Sequence, residues 1–227
     1  MAADEALLRS ALERHVASLR FYTWDEPTLS LGYFQSHVDR LAVPLLANVA
    51  CVRRPTGGAA ILHHLELTYA LALPAGASWH TNESWLCRFH HAVAAALKGF
   101  GVESWAVVCG EEKKLGPFLC FQHQTPGDLL VAGHKVVGSA QRRPHGATMQ
   151  HGSILLRRSP HAPGLPGIVD LSRTAIDNAD LERRIVAELE RETGWAFEAD
   201  DWTPAERHDA AELERDKYGT IMWNEKR

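Results

Sequence analysis

The residues best suited to chemistry lie in one stretch, LCFQHQTPGDLLVAGHKVVGSAQRR, residues 119–143. It holds a cysteine, Cys120, and a lysine, Lys135, which sits between a glycine turn and the small apolar run VVGSA. A thiol is a weak nucleophile until it ionises, and a neighbouring cation favours the thiolate. A lysine can also hydrogen-bond an acyl carbonyl oxygen and stabilise negative charge developing there. Cys120 precedes a polar loop leading into the lysine-bearing hairpin, so the two side chains can converge. Each also has a plainer use: free cysteines beside aromatics commonly fill cores, and lysines on edge strands discourage aggregation. Strand alternation puts Lys135, Val137, Ser139 and Gln141 on one face and Val136, Gly138 and Ala140 on the other. Gly138, Ser139 and Ala140 are small enough to leave a slot for a chain beside the sheet.

A second candidate is RRPTGGAAILHH, residues 53–64. Two consecutive glycines, Gly57 and Gly58, permit positive φ and let a ligand approach the main chain with no Cβ in the way. The same pattern also makes an ordinary strand corner. Arg53 and Arg54 beside the turn favour an anion or a polar acyl head group. The other cysteines, Cys51, Cys87 and Cys109, form no CxxC pair, which argues against a zinc ribbon or a dithiol redox motif. The pairs His63-His64 and His90-His91 make poor chelates, because adjacent side chains diverge on a strand or a helix, and HExxH is absent. No metal site is expected.

These stretches need elements to hold them. Ala6, Leu7, Leu8, Ala11, Leu12 and Val16 at near-helical spacing predict a helix over residues 3–18. LRFYTW and TLSLGYF read as strands around a turn, followed by a short helical piece near 37–48 and the strand VACVRRP. AAILHH and LTYALALP add two strands, and Trp85, Phe89, Val93, Ala96 and Leu97 mark a helix from Glu83 to Phe100. PFLCF is a candidate strand, as are LLVA, KVVGSAQ and MQHGSILL. APGLPGIVDL reads as loop, because its prolines and glycines prevent regular ladders. Residues 178–193 and 205–217 read as surface helices rich in Glu and Arg. The result is an α/β (α+β) class with a mixed, mainly antiparallel sheet flanked by helices. GxGxxG and GxxxxGK[ST] are both absent, so neither a dinucleotide nor a P-loop reading has support.

The whole chain bounds the rest. Its 227 residues suit a single domain over 1–227. A net charge of -4 gives no global nucleic-acid footprint, and no apolar run reaches membrane-spanning length. The N-terminus lacks a secretory pattern, so a cytoplasmic location is expected.

Taken together the stretches resemble the catalytic family of lipoate-protein ligase A, the octanoyltransferases and biotin-protein ligase. The resemblance rests on Arg53-Arg54-Pro55-Thr56-Gly57-Gly58, His63-His64, Lys135 through Gln141 and Gln150-His151-Gly152-Ser153, with SLGYFQ at 30–35 and KYGTIMWN at 217–224. Cys120-Phe121 followed by GSAQ and QHGSILL is most similar to the lipM-type octanoyltransferases. That likeness implies a class II biotin/lipoate-ligase-like fold, with Cys120 the acyl-accepting nucleophile and Lys135 its catalytic partner. It also implies a substrate site of Arg54, Thr56, Gly57, Gly58, Ala59, His64, Gly138, Ser139, Ala140, His151 and Gly152. Ala59 replaces a usual third glycine, His64 stands where aspartate is frequent, and Gly127-Asp128 replaces the ligases' asparagine-aspartate.

The implied reaction moves an octanoyl group from octanoyl-acyl carrier protein to the target lysine of a lipoyl domain, without a cofactor. The acceptor would be a 2-oxoacid dehydrogenase E2 or the glycine-cleavage H protein. A cysteine nucleophile is useful to a transferase, whose thioester donor is already activated, and superfluous to a ligase that spends ATP. An ATP- and Mg-dependent lipoate ligase is the nearest alternative, and an amidotransferase or a non-catalytic acyl-binding homologue the next. Arg142, Arg143, Arg157 and Arg158 form a candidate basic patch for acidic carrier proteins.

Overall fold

The computed structural model describes residues 1–76 and 83–227. The chain begins with helix α1 (Ala2–Arg9), then strands β1 (Ser18–Tyr22), β2 (Thr28–Leu31), β3 (Ala50–Arg53), β4 (Ile61–His63) and β5 (Glu66–Leu73). Helix α2 (Trp85–Lys98) leads to β6 (Trp105–Ala106), β7 (Lys113–Lys114), β8 (His123–Gln124), β9 (Leu129–Val131), β10 (His134–Arg142) and β11 (Thr148–Leu155). Helices α3 (Ile168–Ser172), α4 (Asn178–Thr193), α5 (Pro204–Leu213) and α6 (Ile221–Asn224) complete the order.

A six-stranded antiparallel sheet, ordered β1-β5-β11-β10-β9-β6, forms the centre. All eight residues of β5 and all eight of β11 are buried, which requires cover on both faces of the sheet. On one face Leu67, Tyr69, Leu71 and Leu73 of β5 meet Phe89, Val93 and Leu97 of α2, with Leu181, Ile185 and Leu189 of α4 behind them. The Tyr69 and Phe89 rings stack with centroids 3.7 Å apart. On the other face α1 lays Leu7 on Ala72 and Leu8 on Met149, and Ala11, in the π-turn Ser10–Arg14 that continues the helix, packs beside Leu7. A second sheet, β3-β2-β4, pairs β2 parallel to β3 and antiparallel to β4. Its apolar residues Leu29, Leu31 and Leu62 close over Phe118 and Leu119.

Several sequence expectations change. PFLCF is not a strand: Leu119 makes only an isolated parallel bridge to Ala60, and Cys120–Gln122 is one 3-10 turn. The helical piece near 37–48 is two 3-10 turns, Val38–Ala42 and Pro44–Leu46, because Pro44 cannot continue a hydrogen-bonded helix from Arg40. The end of the APGLPGIVDL loop, from Ile168, forms α3 together with Ser172, and Asp170 accepts from the Gly167 N–H at 2.8 Å. Most consequential is a register shift in the pairing of β10 with β9, between Lys135 and Val137. This bulge breaks the simple alternation at the lysine, since an extra residue reverses which face the following side chains take.

Candidate active site

The bulge lays the Lys135 side chain across Gly138 instead of beside Val137. A Cβ on Gly138 would stand 2.5 Å from Lys135 Cε and 3.0 Å from Nζ. The gap expected from Gly138 is therefore filled by the lysine. Val137 turns into the α2 core, and Ser139 follows it: its hydroxyl meets Tyr69 and His90 on that same face. Gly152, paired with Ser139, makes room there, because a Cβ would come within 2.4 Å of Ser139 Oγ and 2.5 Å of Tyr69 Cε1. Ser139 and Gly152 thus serve the sheet–helix packing, on the face away from Lys135.

Lys135 is 5% exposed and needs a counter-ion. Asp128 Oδ2 supplies it at 2.7 Å, and the same oxygen accepts from Thr125 N (2.7 Å) and Thr125 Oγ1 (2.9 Å). Lys135 Nζ also reaches Cys120 Sγ at 3.7 Å and lies 5.5 Å from the centre of the Phe121 ring. The structure thus brings Cys120 and Lys135 together, a proximity the sequence left open. Cys120 is half-buried, and its N–H donates to Ala60 O at 2.7 Å, which anchors the 3-10 turn to the strand leaving the glycine turn.

Arg53 and Arg54 do not present their guanidinium groups to an anion. Arg54 Nη1 donates to Ser30 O at 2.9 Å, and Nη2 to Gly57 O (2.8 Å) and Ala59 O (2.7 Å), so this side chain shapes the turn from beneath. Burial pulls the Arg54 guanidinium down to about 10, with the nearby Cys120 sulfur acting the other way, and it stays charged at neutral pH. Arg53 ties the terminal motif to the sheet: it donates to Gln35 O at 2.7 Å and Asn224 O at 3.0 Å, and Trp223 Nε1 donates back to Arg53 O at 2.8 Å. Gly58 has φ +91°, and a Cβ on Gly32 would sit 1.9 Å from Gly58 O, which explains a glycine in SLGYFQ.

Thr56 opens the turn and is latched on both sides. Its carbonyl accepts from Tyr33 N at 2.8 Å, and its hydroxyl lies 2.6 Å from His151 Nε2. His151 Nδ1 in turn lies 3.2 Å from Asp4 Oδ2. Burial would raise the Asp4 carboxyl, but the amine at Met1, His151 and Arg20 outweigh it and hold Asp4 well below the usual range. Burial lowers His151, against the pull of Asp4. A neutral imidazole next to a carboxylate keeps its proton on Nδ1, so Thr56 donates to Nε2.

His64 lies apart, with Nδ1 2.9 Å from Ser159 Oγ, in a cleft it shares with Leu62, Phe121, Leu155 and Arg157. That cleft is small, about 10 Å³. A cavity of about 850 Å³ opens at the β1 edge between Phe21, Leu73, Trp195 and Trp202, and no candidate residue lines it. The four arginines do not form one patch. Arg142 pairs with Met149 at one end of the β10–β11 hairpin, while Arg157 follows Leu155 at the other, about 20 Å along the strand.

Sequence reasoning missed Asp128, Asp4 and His90 as members of the site. Their partners are remote or across a bulge, and no local spacing marks them.

On the antiparallel sheet, the lysine of β10 thus faces a cysteine anchored beside a double-glycine turn. Residues 1–202 match the model of the lipoyl protein ligase A/B catalytic domain, and the chain belongs to that family. It is 33% identical to the octanoyltransferase LipM of Carboxydothermus hydrogenoformans, over 98% of this chain and 92% of that protein. It is 39% identical to the LipM of Anoxybacillus flavithermus, over 69% of this chain and 60% of that protein. Among solved structures, lipoate-protein ligase A bound with ATP superposes with a TM-score of 0.75 at 21% identity, covering 99% of this chain and 92% of the other. A chain from the structural analysis of a bipartite lipoate protein ligase and its E2 lipoyl domain from Thermoplasma acidophilum gives 0.73 at 20% identity, over 99% and 89%.

Proposed function

We propose that this protein is an octanoyltransferase of protein lipoylation, working through a thioester on Cys120. The observation that carries the reading is the 3.7 Å approach of Lys135 Nζ to Cys120 Sγ, in a chain resembling LipM enzymes along its length. A ligase has no use for a nucleophilic cysteine at this point, because its acyl group arrives activated as an adenylate.

In the first half-reaction the Cys120 sulfur attacks the carbonyl of octanoyl-carrier protein. A new C–S bond forms, the carrier's C–S bond breaks, and the carrier thiol leaves with the proton. In the second, the lysine amine of a lipoyl domain attacks the acyl-enzyme, a C–N bond forms, and sulfur leaves as the amine proton is released. Lysine has three N–H donors. Asp128 and Cys120 engage two of them, and the third would meet the acyl oxygen as it gains charge. The Arg54 cation beneath the turn adds positive potential close to the same sulfur. Thr56, Gly57, Gly58 and Ala59 would border the acyl group from the turn, with Ala140 and His151 on the sheet. Among the described residues no octanoyl-sized space stands open beside Phe121, so the acyl chain would displace packing as it enters.

The test is incubation with octanoyl-carrier protein without ATP, followed by peptide mass analysis. An added octanoyl mass on the Cys120 peptide, lost in Cys120→Ser and kept in Cys87→Ser, is the expected result. Product that forms only with free acid and ATP would sink the proposal.

A further inference from the structure

His90 is a fully buried histidine on α2, and its two ring nitrogens meet two different parts of the site's frame. Nδ1 lies 2.6 Å from the carbonyl oxygen of Gly127, the residue before Asp128. Nε2 lies 2.5 Å from Ser139 Oγ, the residue after Gly138. Asp128 holds the Lys135 ammonium, and Gly138 is the surface over which the lysine stem runs. The imidazole therefore spans the two backbone segments that carry the ends of the ion pair.

The proton positions along this link follow from chemistry. A carbonyl only accepts, so Nδ1–H donates to Gly127. Burial lowers His90 to about 4, against the Gly127 carbonyl and Asp128, so the ring is neutral and Nε2 accepts from the Ser139 hydroxyl. Ser139 then accepts from the Tyr69 hydroxyl, and Tyr69 accepts from Gln150 Nε2 at 2.6 Å. Gln150 Oε1 accepts from Gln141 Nε2 at 2.7 Å, and Gln141 Oε1 from Arg143 Nη2 at 3.0 Å. Every donor points one way, from Arg143 on the surface to Gly127 beside Asp128. Aligned donors polarise one another and stiffen the line they form.

We propose that His90 is a positioning residue of the transfer site, fastening the Gly127-Asp128 turn to β10 so that Lys135 is held against Cys120. This rests on the reading of Cys120 and Lys135 as the reacting pair. It gives the GSA run a purpose different from substrate contact: the glycine clears the lysine's path, and the serine anchors the strand to α2. Leu86 and Cys87 crowd the same turn, since a Cβ on Gly127 would stand 2.7 and 3.5 Å from them, so the turn has little other freedom.

The experiment compares His90→Phe, His90→Asn and Lys135→Met in the full chain. The readouts are the iodoacetamide rate of Cys120, resolved by peptide mass, and the rate of octanoyl-enzyme formation. His90→Phe removes both ring links, and both rates should fall about tenfold, toward those of Lys135→Met, as a charge-assisted contact is loosened. Asparagine keeps a donor near the Nδ1 position, and His90→Asn should recover most of the loss. Rates in His90→Phe equal to the parent's would overturn the proposal, as would an asparagine variant no better than phenylalanine. If His90→Phe does not fold, Ser139→Ala cuts the link at its other end and should slow both rates in the same direction; parental rates there overturn the proposal as well. Failure of the octanoyl-transfer reading shows differently, as a parent protein that alkylates at Cys120 yet never forms the acyl-enzyme. The alkylation comparison then still decides the role of His90.

Discussion

Lys135 runs across Gly138 because nothing else there would let it reach Cys120. The glycine is buried, and its missing side chain is the space through which Cε and Nζ pass. Gly138→Ala should push the ammonium off Asp128 and Cys120, costing about 1–3 kcal/mol as an overpacked site does. Acyl-enzyme formation should slow with it. The same alanine introduced beside Lys135→Ala should be nearly neutral, since the contested space is then vacant. A double-mutant cycle by urea denaturation measures this coupling, and additive costs would show that the lysine does not occupy the Gly138 surface. At this scale the sequence was informative about residue types and silent about facing. Cys120, Lys135 and the small-residue run are visible in the chain, but strict alternation assigns Lys135 and Ser139 to one face. The bulge between Lys135 and Val137 separates them, and it arises from pairing with β9, which no local pattern encodes.

At the scale of elements, α1 does more than cover the sheet. Its apolar spacing was legible, and Leu7 and Leu8, with Ala11 in the turn that continues it, are buried as that spacing requires. What it carries into the site was not, because the contact from Asp4 to His151 joins residues 147 apart in sequence. Asp4 also accepts from Tyr22 OH at 3.1 Å and from Arg20 Nη1 at 3.3 Å, so one carboxylate joins α1, β1 and β11 and reaches the Thr56 turn through His151. Asp4→Ala leaves the His151 and Tyr22 donors unpaired inside the protein. A loss of about 2–4 kcal/mol is expected for two buried donors left without acceptors, read as a lower urea midpoint at pH 7. Asp4→Asn keeps an acceptor and should lose less. Equal midpoints for parent and Asp4→Ala would mean that α1 is held by its apolar face alone. PFLCF illustrates the opposite failure: its apolar and aromatic residues suit a strand, yet Phe118 and Leu119 are buried against Leu29 and Leu62 just ahead of a 3-10 turn, with no strand ladder.

At the scale of the whole molecule, buried neutral histidines set how stability responds to acid. Burial lowers His90 to about 4 from 6.5, opposed by Gly127 and Asp128, and it lowers His151 as well. In the unfolded chain both take up protons as pH falls through about 6.5, while in the folded protein His151 stays neutral to lower pH and His90 until about 4. The unfolded state therefore binds more protons in that window, and stability drops with falling pH. For His90 alone, going from pH 7 to pH 4.5 removes about 2.5 kcal/mol, with His151 adding to the loss. The depressed carboxylates of Asp4, Glu5 and Glu206 act in the same direction at still lower pH, where protonating them in the unfolded state favours unfolding. Urea denaturation at pH 7 and pH 4.5 measures the drop. A His90→Asn variant, which cannot titrate at that position, should be less stable at pH 7 but show a shallower fall, by about 2.5 kcal/mol over the same interval. If parent and variant lose stability in parallel, His90 is not held neutral in the fold, and the one-way hydrogen-bond line that ends at Gly127 loses its fixed direction.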